Sequence, residues 1–144
     1  MSIGKHSILA LIVVGLTAIA AQAQTAPSID TISAEELKAK VTGNQPVMII
    51  DVRSSSGFAA STTKVKGAIH FKVRNLRSRL GFAPLKDLPK DREIVTYCAC
   101  PKDEASISAA QILQASGFKR VRVLQGGWQE WLRANGPVEP KPRG

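Results

Sequence analysis

The chain has 144 residues, 20 lysines and arginines against 11 acidic residues, a net charge of +9 and only 5% aromatic residues. That length suits one domain with a single core and is too short for two. Two cysteines exclude a disulfide framework, and a basic surplus without aromatic interleaving argues against a nucleic-acid partner.

The first 23 residues read as a secretory signal peptide. Lys5 precedes an apolar run from Ile8 to Ala21, and Ala21-Gln22-Ala23 supplies a small-residue cleavage site. An uncleaved membrane anchor is the alternative, but Gly15 and Thr17 interrupt the run and favour cleavage after Ala23. The expected mature protein is periplasmic or secreted and spans no membrane. It comprises a leader (24–32), a folded domain (33–136) and a disordered tail (137–144) rich in proline and charge.

In chain order, Ile29-Asp30-Thr31-Ile32 is a candidate first strand. Ser33 and Glu36 fit a capping box that opens a helix with Leu37 and Val41 on its apolar side, and Gly43-Asn44-Gln45-Pro46 stops it. Val47 to Val52 is almost wholly apolar, as expected of a central parallel strand covered on both faces. Asp51 near its end is either a buried hydrogen-bonded structural group or an active-site member. The structural role is preferred, with Arg53 as its ion-pair partner. Ser54 to Thr63 reads as a loop with one helical turn, anchored by Phe58, and Gly67 to Phe71 as a further short strand. His70 has no second histidine in the mature chain to help it bind a metal, so a packed or surface imidazole is expected.

Val73, Leu76 and Leu80 recur at helical spacing among Arg74, Arg77 and Arg79, giving a basic amphipathic helix ended by Gly81 and Pro84. Together with Lys64, Lys66, Lys72 and Lys86 these arginines concentrate the positive charge. A solvated surface explains such a stretch, and so does an anionic small substrate, an acidic envelope protein or the envelope surface itself. Ile94 to Tyr97 forms another strand, a helix runs from near Ser106 to Gly117, and Arg120 to Leu124 is the last strand, near an edge. Gly126-Gly127 turns the chain into a final helix with Trp128, Trp131 and Leu132 on its stripe, stopped by Asn135-Gly136-Pro137.

Short strands alternating with helices predict an α/β fold with a parallel sheet wrapped by helices. Both cysteines lie in the strand-loop-helix turn Tyr97-Cys98-Ala99-Cys100-Pro101-Lys102-Asp103-Glu104-Ala105-Ser106. Such a turn sits outside the carboxyl end of a strand, where a helix N-terminus directs unpaired N–H groups at an anion and favours a thiolate. A Cys98–Cys100 bridge is possible but closes a very small ring.

The pieces Ile50-Asp51-Val52-Arg53, Gly67-Ala68-Ile69-His70, Ile94 to Cys98, Ala109-Ala110 through Gly117-Phe118, and Val123-Leu124-Gln125-Gly126-Gly127-Trp128 occur in order. From about Ser33 to Gly136 the chain thereby resembles a single-domain rhodanese. The resemblance implies a rhodanese-like fold with a five-stranded parallel sheet flanked by helices on both faces, no cofactor and no metal. It implies a cysteine that accepts sulfane sulfur from a small anionic donor such as thiosulfate, becomes a persulfide and passes the sulfur to a thiol acceptor. Position at the strand end assigns that role to Cys98 with a loop two residues longer than usual, whereas counting back from Gly117-Phe118 points to Cys100. The anion cradle then comprises Ala99, Cys100, Lys102, Asp103, Glu104, Ala105 and Ser106, with Asp51 and Arg53 in support.

The chain departs from the family pattern. Pro101 offers no N–H, Asp103 and Glu104 set negative charge beside the site unless they cap the helix, and Lys64-Val65-Lys66-Gly67 lacks the family's histidine and proline. An exported sulfurtransferase with a Cys98 persulfide is the leading expectation, with Cys100 as a resolving or alternative thiol. A non-catalytic binding module in the cell envelope is the alternative, and a Cys98-Ala99-Cys100 thiol redox or soft-metal protein is a second. Phosphatase or arsenate reductase activity is disfavoured because Ala105 and Ser106 stand where an arginine is needed.

Overall fold

The computed structural model describes residues 28–142, so the signal peptide expected at Met1 to Ala23 lies outside the described residues. Seven strands and five helices follow in order: β1 (Asp30–Ile32), α1 (Ala34–Thr42), β2 (Val47–Asp51), α2 (Ser55–Ala59), β3 (Thr63–Val65), β4 (Ile69–His70), α3 (Val73–Arg79), β5 (Glu93–Tyr97), α4 (Glu104–Ala115), β6 (Arg120–Leu124), α5 (Gly127–Arg133) and β7 (Val138–Pro140). Five strands form a parallel sheet in the order β1-β6-β5-β2-β4, with β5 at its centre and buried along its whole length.

The strand pleat divides the core into two layers. Ile94 and Cys98 on one face of β5 join Leu76 of α3 and Ala109, Ala110 and Leu113 of α4. Val95 and Tyr97 on the other join Ala34 and Leu37 of α1 and Trp128 and Trp131 of α5. Alternate residues of a strand point to opposite faces, so covering both faces with helices demands the apolar runs seen in β2 and β5.

β6 lies one strand in from the sheet edge, near an edge as its alternating pattern suggests, because β1 pairs along it from Asp30↔Arg122 to Ile32↔Leu124. Its arginines are accommodated by ion pairs. Arg122 Nη1 and Nη2 donate to Glu36 at 2.7 and 2.8 Å, and Nη1 also reaches Glu93 at 3.1 Å. Lys40 holds the other Glu93 oxygen at 3.1 Å. Burial alone raises the Glu93 pKa, but the hydrogen bonds from Lys40 and Arg122 outweigh it and hold the carboxyl below its ordinary value. The capping box is half formed: Glu36 N–H donates to Ser33 Oγ at 3.1 Å, while the Glu36 carboxylate turns to Arg122.

The tail corrects an expectation. Within 137–142, Val138–Pro140 pairs antiparallel with Thr63–Val65, Glu139 forms an ion pair with the buried Lys64, and Trp131 Nε1–H donates to Pro137 O at 3.1 Å. Composition hid this strand because its pairing is only three residues long and sits apart from the main sheet, where Pro140 is tolerated.

Candidate active site

The loop after β5 rests on a buried polar frame. Arg53 donates from Nε and Nη2 to the Asp51 carboxylate at 3.0 and 2.7 Å, and the Tyr97 hydroxyl donates to the same Asp51 oxygen at 2.7 Å. Val65 N–H donates to the Tyr97 oxygen at 3.1 Å, and Arg53 also reaches Ser61 Oγ and Thr63 O. The guanidinium lies 4.3 Å from the Trp128 ring centroid. A buried ion pair persists only where its remaining lone pairs and protons are satisfied, and this one is. Burial, then the Asp51 carboxylate, push the Tyr97 hydroxyl far above its ordinary range, so it stays protonated as a donor. Asp51 and Arg53 thus hold the carboxyl ends of β2 and β5 together.

Cys98 and Cys100 are joined by a disulfide, with Cα atoms 5.7 Å apart. The expectation that Cys98 presents an accessible thiolate is corrected here. Its side chain is 1% exposed and packs in the layer beneath α4. Strand alternation is the reason: Ile94 and Cys98 fall on the same face, and that face is covered. Cys100 lies beyond the strand end, is half-buried, and lines an open cleft of about 290 Å³ with Ala99, Pro101, Gly126, Gln129 and Arg133.

Both ends of the loop are fastened to the start of α5. Trp128 N–H donates to Cys98 O at 2.8 Å, and Gly126 N–H donates to Asp103 Oδ2 at 3.0 Å. Gly126 and Gly127 both take positive φ, and a Cβ on Gly127 would stand 2.2 Å from Cys98 O. Only glycine allows that approach. The sequence leaves Asp103 as either a negative charge beside the site or a side-chain cap for α4. It occupies the N-cap position but in the left-handed region (φ 53°), makes no capping hydrogen bond, and sends its carboxylate to Gly126 instead. The helix therefore opens at Glu104, two residues before the expected Ser106.

The cradle expected from Ala99 to Ser106 is divided. Asp103 N–H is already given to Cys100 O at 3.4 Å, and Pro101 has none to give. Glu104, Ala105 and Ser106 form the first turn of α4, where helical N–H groups lack partners within the helix. Ala105 faces a second cleft of about 290 Å³, shared with Arg53, Ser54, Lys72 and Arg74. Ser106 Oγ is buried without a partner among the described residues, and its carbonyl accepts from Thr96 Oγ1 at 2.9 Å. Lys102 is exposed and lines neither cleft. Sequence reasoning did not single out Gln129 and Arg133, whose placement beside Cys100 follows only from the turn at Gly126-Gly127. His70 stacks on Phe58 with ring centroids 3.9 Å apart and bonds Arg53 O at 3.0 Å, as a packed imidazole. No cluster of three or more potential metal ligands occurs among the described residues, and no described helix is long and apolar enough to cross a membrane.

A central parallel strand ending on a cysteine loop, clamped by a Gly-Gly-Trp turn, defines an α/β protein with a bonded cysteine pair at the carboxyl edge of its sheet. Residues 33–134 match the Rhodanese-like domain family, and the chain belongs to that family. A sulfurtransferase from Allochromatium vinosum is 26% identical over 110 residues, covering 76% of this chain and 94% of the relative. The thiosulfate sulfurtransferase GlpE of Shewanella oneidensis is 31% identical over 96 residues, covering 67% and 86%. A rhodanese-like domain from Anabaena sp., known from a solution NMR structure, superposes with a TM-score of 0.63 at 27% identity, covering 81% of this chain and 87% of that one. The five-stranded parallel sheet and its flanking helices are the fold expected from the sequence, and the relatives support activity of the sulfurtransferase type.

Proposed function

We propose that the protein is an exported sulfurtransferase that carries sulfane sulfur as a persulfide on the cysteine pair after β5, with Cys100 as the residue that receives it. One observation carries the assignment: of the two bonded cysteines, Cys100 lines an open cleft and is half-buried, while Cys98 is 1% exposed. A donor must approach the attacking thiolate in line with the bond it breaks, and the core beneath α4 leaves no room for this at Cys98. Opening the disulfide frees Cys100 in a cleft lined by Arg133, whose Nη1 pairs with Glu130 at 2.8 Å and whose remaining N–H groups suit an anionic donor such as thiosulfate. The signal-peptide pattern of Met1 to Ala23 supports a periplasmic or secreted location, as does a standing disulfide.

The test is formation of thiocyanate from thiosulfate and cyanide by the reduced protein. Activity that survives Cys98→Ser and is lost in Cys100→Ser supports the assignment. Activity that survives only Cys100→Ser returns the role to Cys98, and no activity with thiosulfate or polysulfide removes the enzymatic reading.

A second reading, docking of an acidic envelope protein, is supported by the α3 side of the molecule. None of Lys72, Arg74, Arg77, Arg79 and Lys86 pairs with a carboxylate among the described residues. Such a partner is compatible with sulfur transfer, since the face adjoins the cleft at Ala105.

A further inference from the structure

Resting on the sulfur-transfer reading above, we propose that Cys98 is a built-in resolving thiol, so that the protein reduces sulfane sulfur to hydrosulfide and must be reset by a dithiol, instead of handing the sulfur to an outside acceptor.

Three observations combine. The two sulfurs are bonded in the folded chain, so the backbone delivers Cys98 to Cys100 without rearrangement. Their surroundings differ: Cys100 meets the cleft, whereas Cys98 is enclosed by the apolar layer of β5 and α4 and has Cys100 as its accessible neighbour. The loop has ties that do not depend on the disulfide, since Trp128 N–H to Cys98 O, Gly126 N–H to Asp103 and Asp103 N–H to Cys100 O involve no sulfur. A buried thiol held beside a persulfide acts at high effective concentration, because its approach requires no further loss of freedom.

The steps balance. The Cys100 thiolate attacks the outer sulfur of thiosulfate, the S–S bond breaks, and sulfite leaves with the bonding pair. Cys98 then attacks Sγ of the Cys100 persulfide while its thiol proton passes to the departing sulfur, which leaves as hydrosulfide. Two cysteine thiols have been oxidised to the Cys98–Cys100 disulfide, and one sulfane sulfur has been reduced. An external dithiol resets the site by attacking the sulfur of Cys100, the cysteine that lines the cleft, and displacing Cys98. Its second thiol then displaces Cys100 and leaves the reductant as a disulfide.

The experiment is a single turnover of the full chain, reduced with dithiothreitol and desalted, with excess thiosulfate. Sulfite, hydrosulfide, free thiols and intact mass are measured together. The wild type is expected to release sulfite and hydrosulfide in equal amounts, lose both thiols and retain no added sulfur. Cys98→Ser is expected to release sulfite, gain one cyanide-labile sulfur and release no hydrosulfide until dithiothreitol is added. A wild type that releases sulfite but keeps the sulfur as a stable persulfide overturns the resolving role and leaves sulfur transfer standing. Absence of sulfite from both proteins overturns the two readings together. Should Cys98→Ser fail to fold, Cys100→Ser decides in its place: no sulfite from that protein supports the assignment, whereas sulfite with one retained cyanide-labile sulfur reverses the two roles and overturns it.

Discussion

The carboxylate of Asp103 accepts the Gly126 N–H at 3.0 Å, tying the end of the cysteine loop to the glycine pair that starts α5. Five residues earlier, Cys98 O accepts from Trp128 N–H at 2.8 Å. The loop is thus gripped at both ends by one turn, and Gly127 sits where a side chain would collide with Cys98 O. Gly127→Ala is expected to lower stability by about 3 kcal/mol or more, from left-handed backbone strain and displaced main chain. Asp103→Ala, which removes one solvent-exposed hydrogen bond, is expected to lower it by about 0.5–1.5 kcal/mol. Urea unfolding of both variants, with and without dithiothreitol, checks the order.

The Asp51–Arg53–Tyr97 frame should respond asymmetrically. Tyr97→Phe removes one donor to Asp51 and the acceptor of Val65 N–H, for about 1–3 kcal/mol. Asp51→Ala leaves the Arg53 guanidinium buried without its carboxylate, for about 3–5 kcal/mol. Thermal unfolding that ranks Tyr97→Phe as the more damaging change contradicts a frame centred on the ion pair.

Acid should weaken the fold through Glu93. Its pKa is lower in the folded chain than its ordinary value of 4.5, so the stabilisation is present above that value and lost as pH falls through the folded value. The stability gap between wild type and Glu93→Gln should therefore narrow between about pH 5 and about pH 3. A gap that stays constant over that range shows that Lys40 and Arg122 do not act through the Glu93 charge.

Lys72 and Arg74 flank the cleft at the start of α4 without carboxylate partners among the described residues. Because Cys100 lines a different cleft, reversing both charges to glutamate acts on thiosulfate only through the long-range field. It should lower kcat/KM about tenfold at low ionic strength, with the loss shrinking as salt is added. A salt-independent loss points to damage of the fold.

Most of the fold was legible because β2 and β5 are apolar runs that only a two-sided parallel sheet buries, and because Val73, Leu76 and Leu80 recur at helical spacing on the covered face. The C-terminal cap of α4 was readable from Gly117 alone: its φ is +92°, with Gly117 N–H to Gln114 O at 2.9 Å and Phe118 N–H to Leu113 O at 3.2 Å. The strand Val138–Pro140 was not legible, since three residues carry no period. The site was half legible. The position of the cysteines follows from strand and helix, but the burial of Cys98 depends on which pleat face α4 covers. The role of Asp103 is not legible in the sequence, because its carboxylate accepts from Gly126, a residue brought near only by the turn into α5.

The central claim is that sulfane sulfur lands on Cys100. The most direct measurement is peptide mapping of reduced Cys98→Ser and Cys100→Ser proteins after exposure to polysulfide and alkylation of the persulfide. One added sulfur on Cys100 in the first protein and none on Cys98 in the natively folded second is the predicted result. An added sulfur on Cys98 in folded Cys100→Ser, with none on Cys100 in Cys98→Ser, contradicts it.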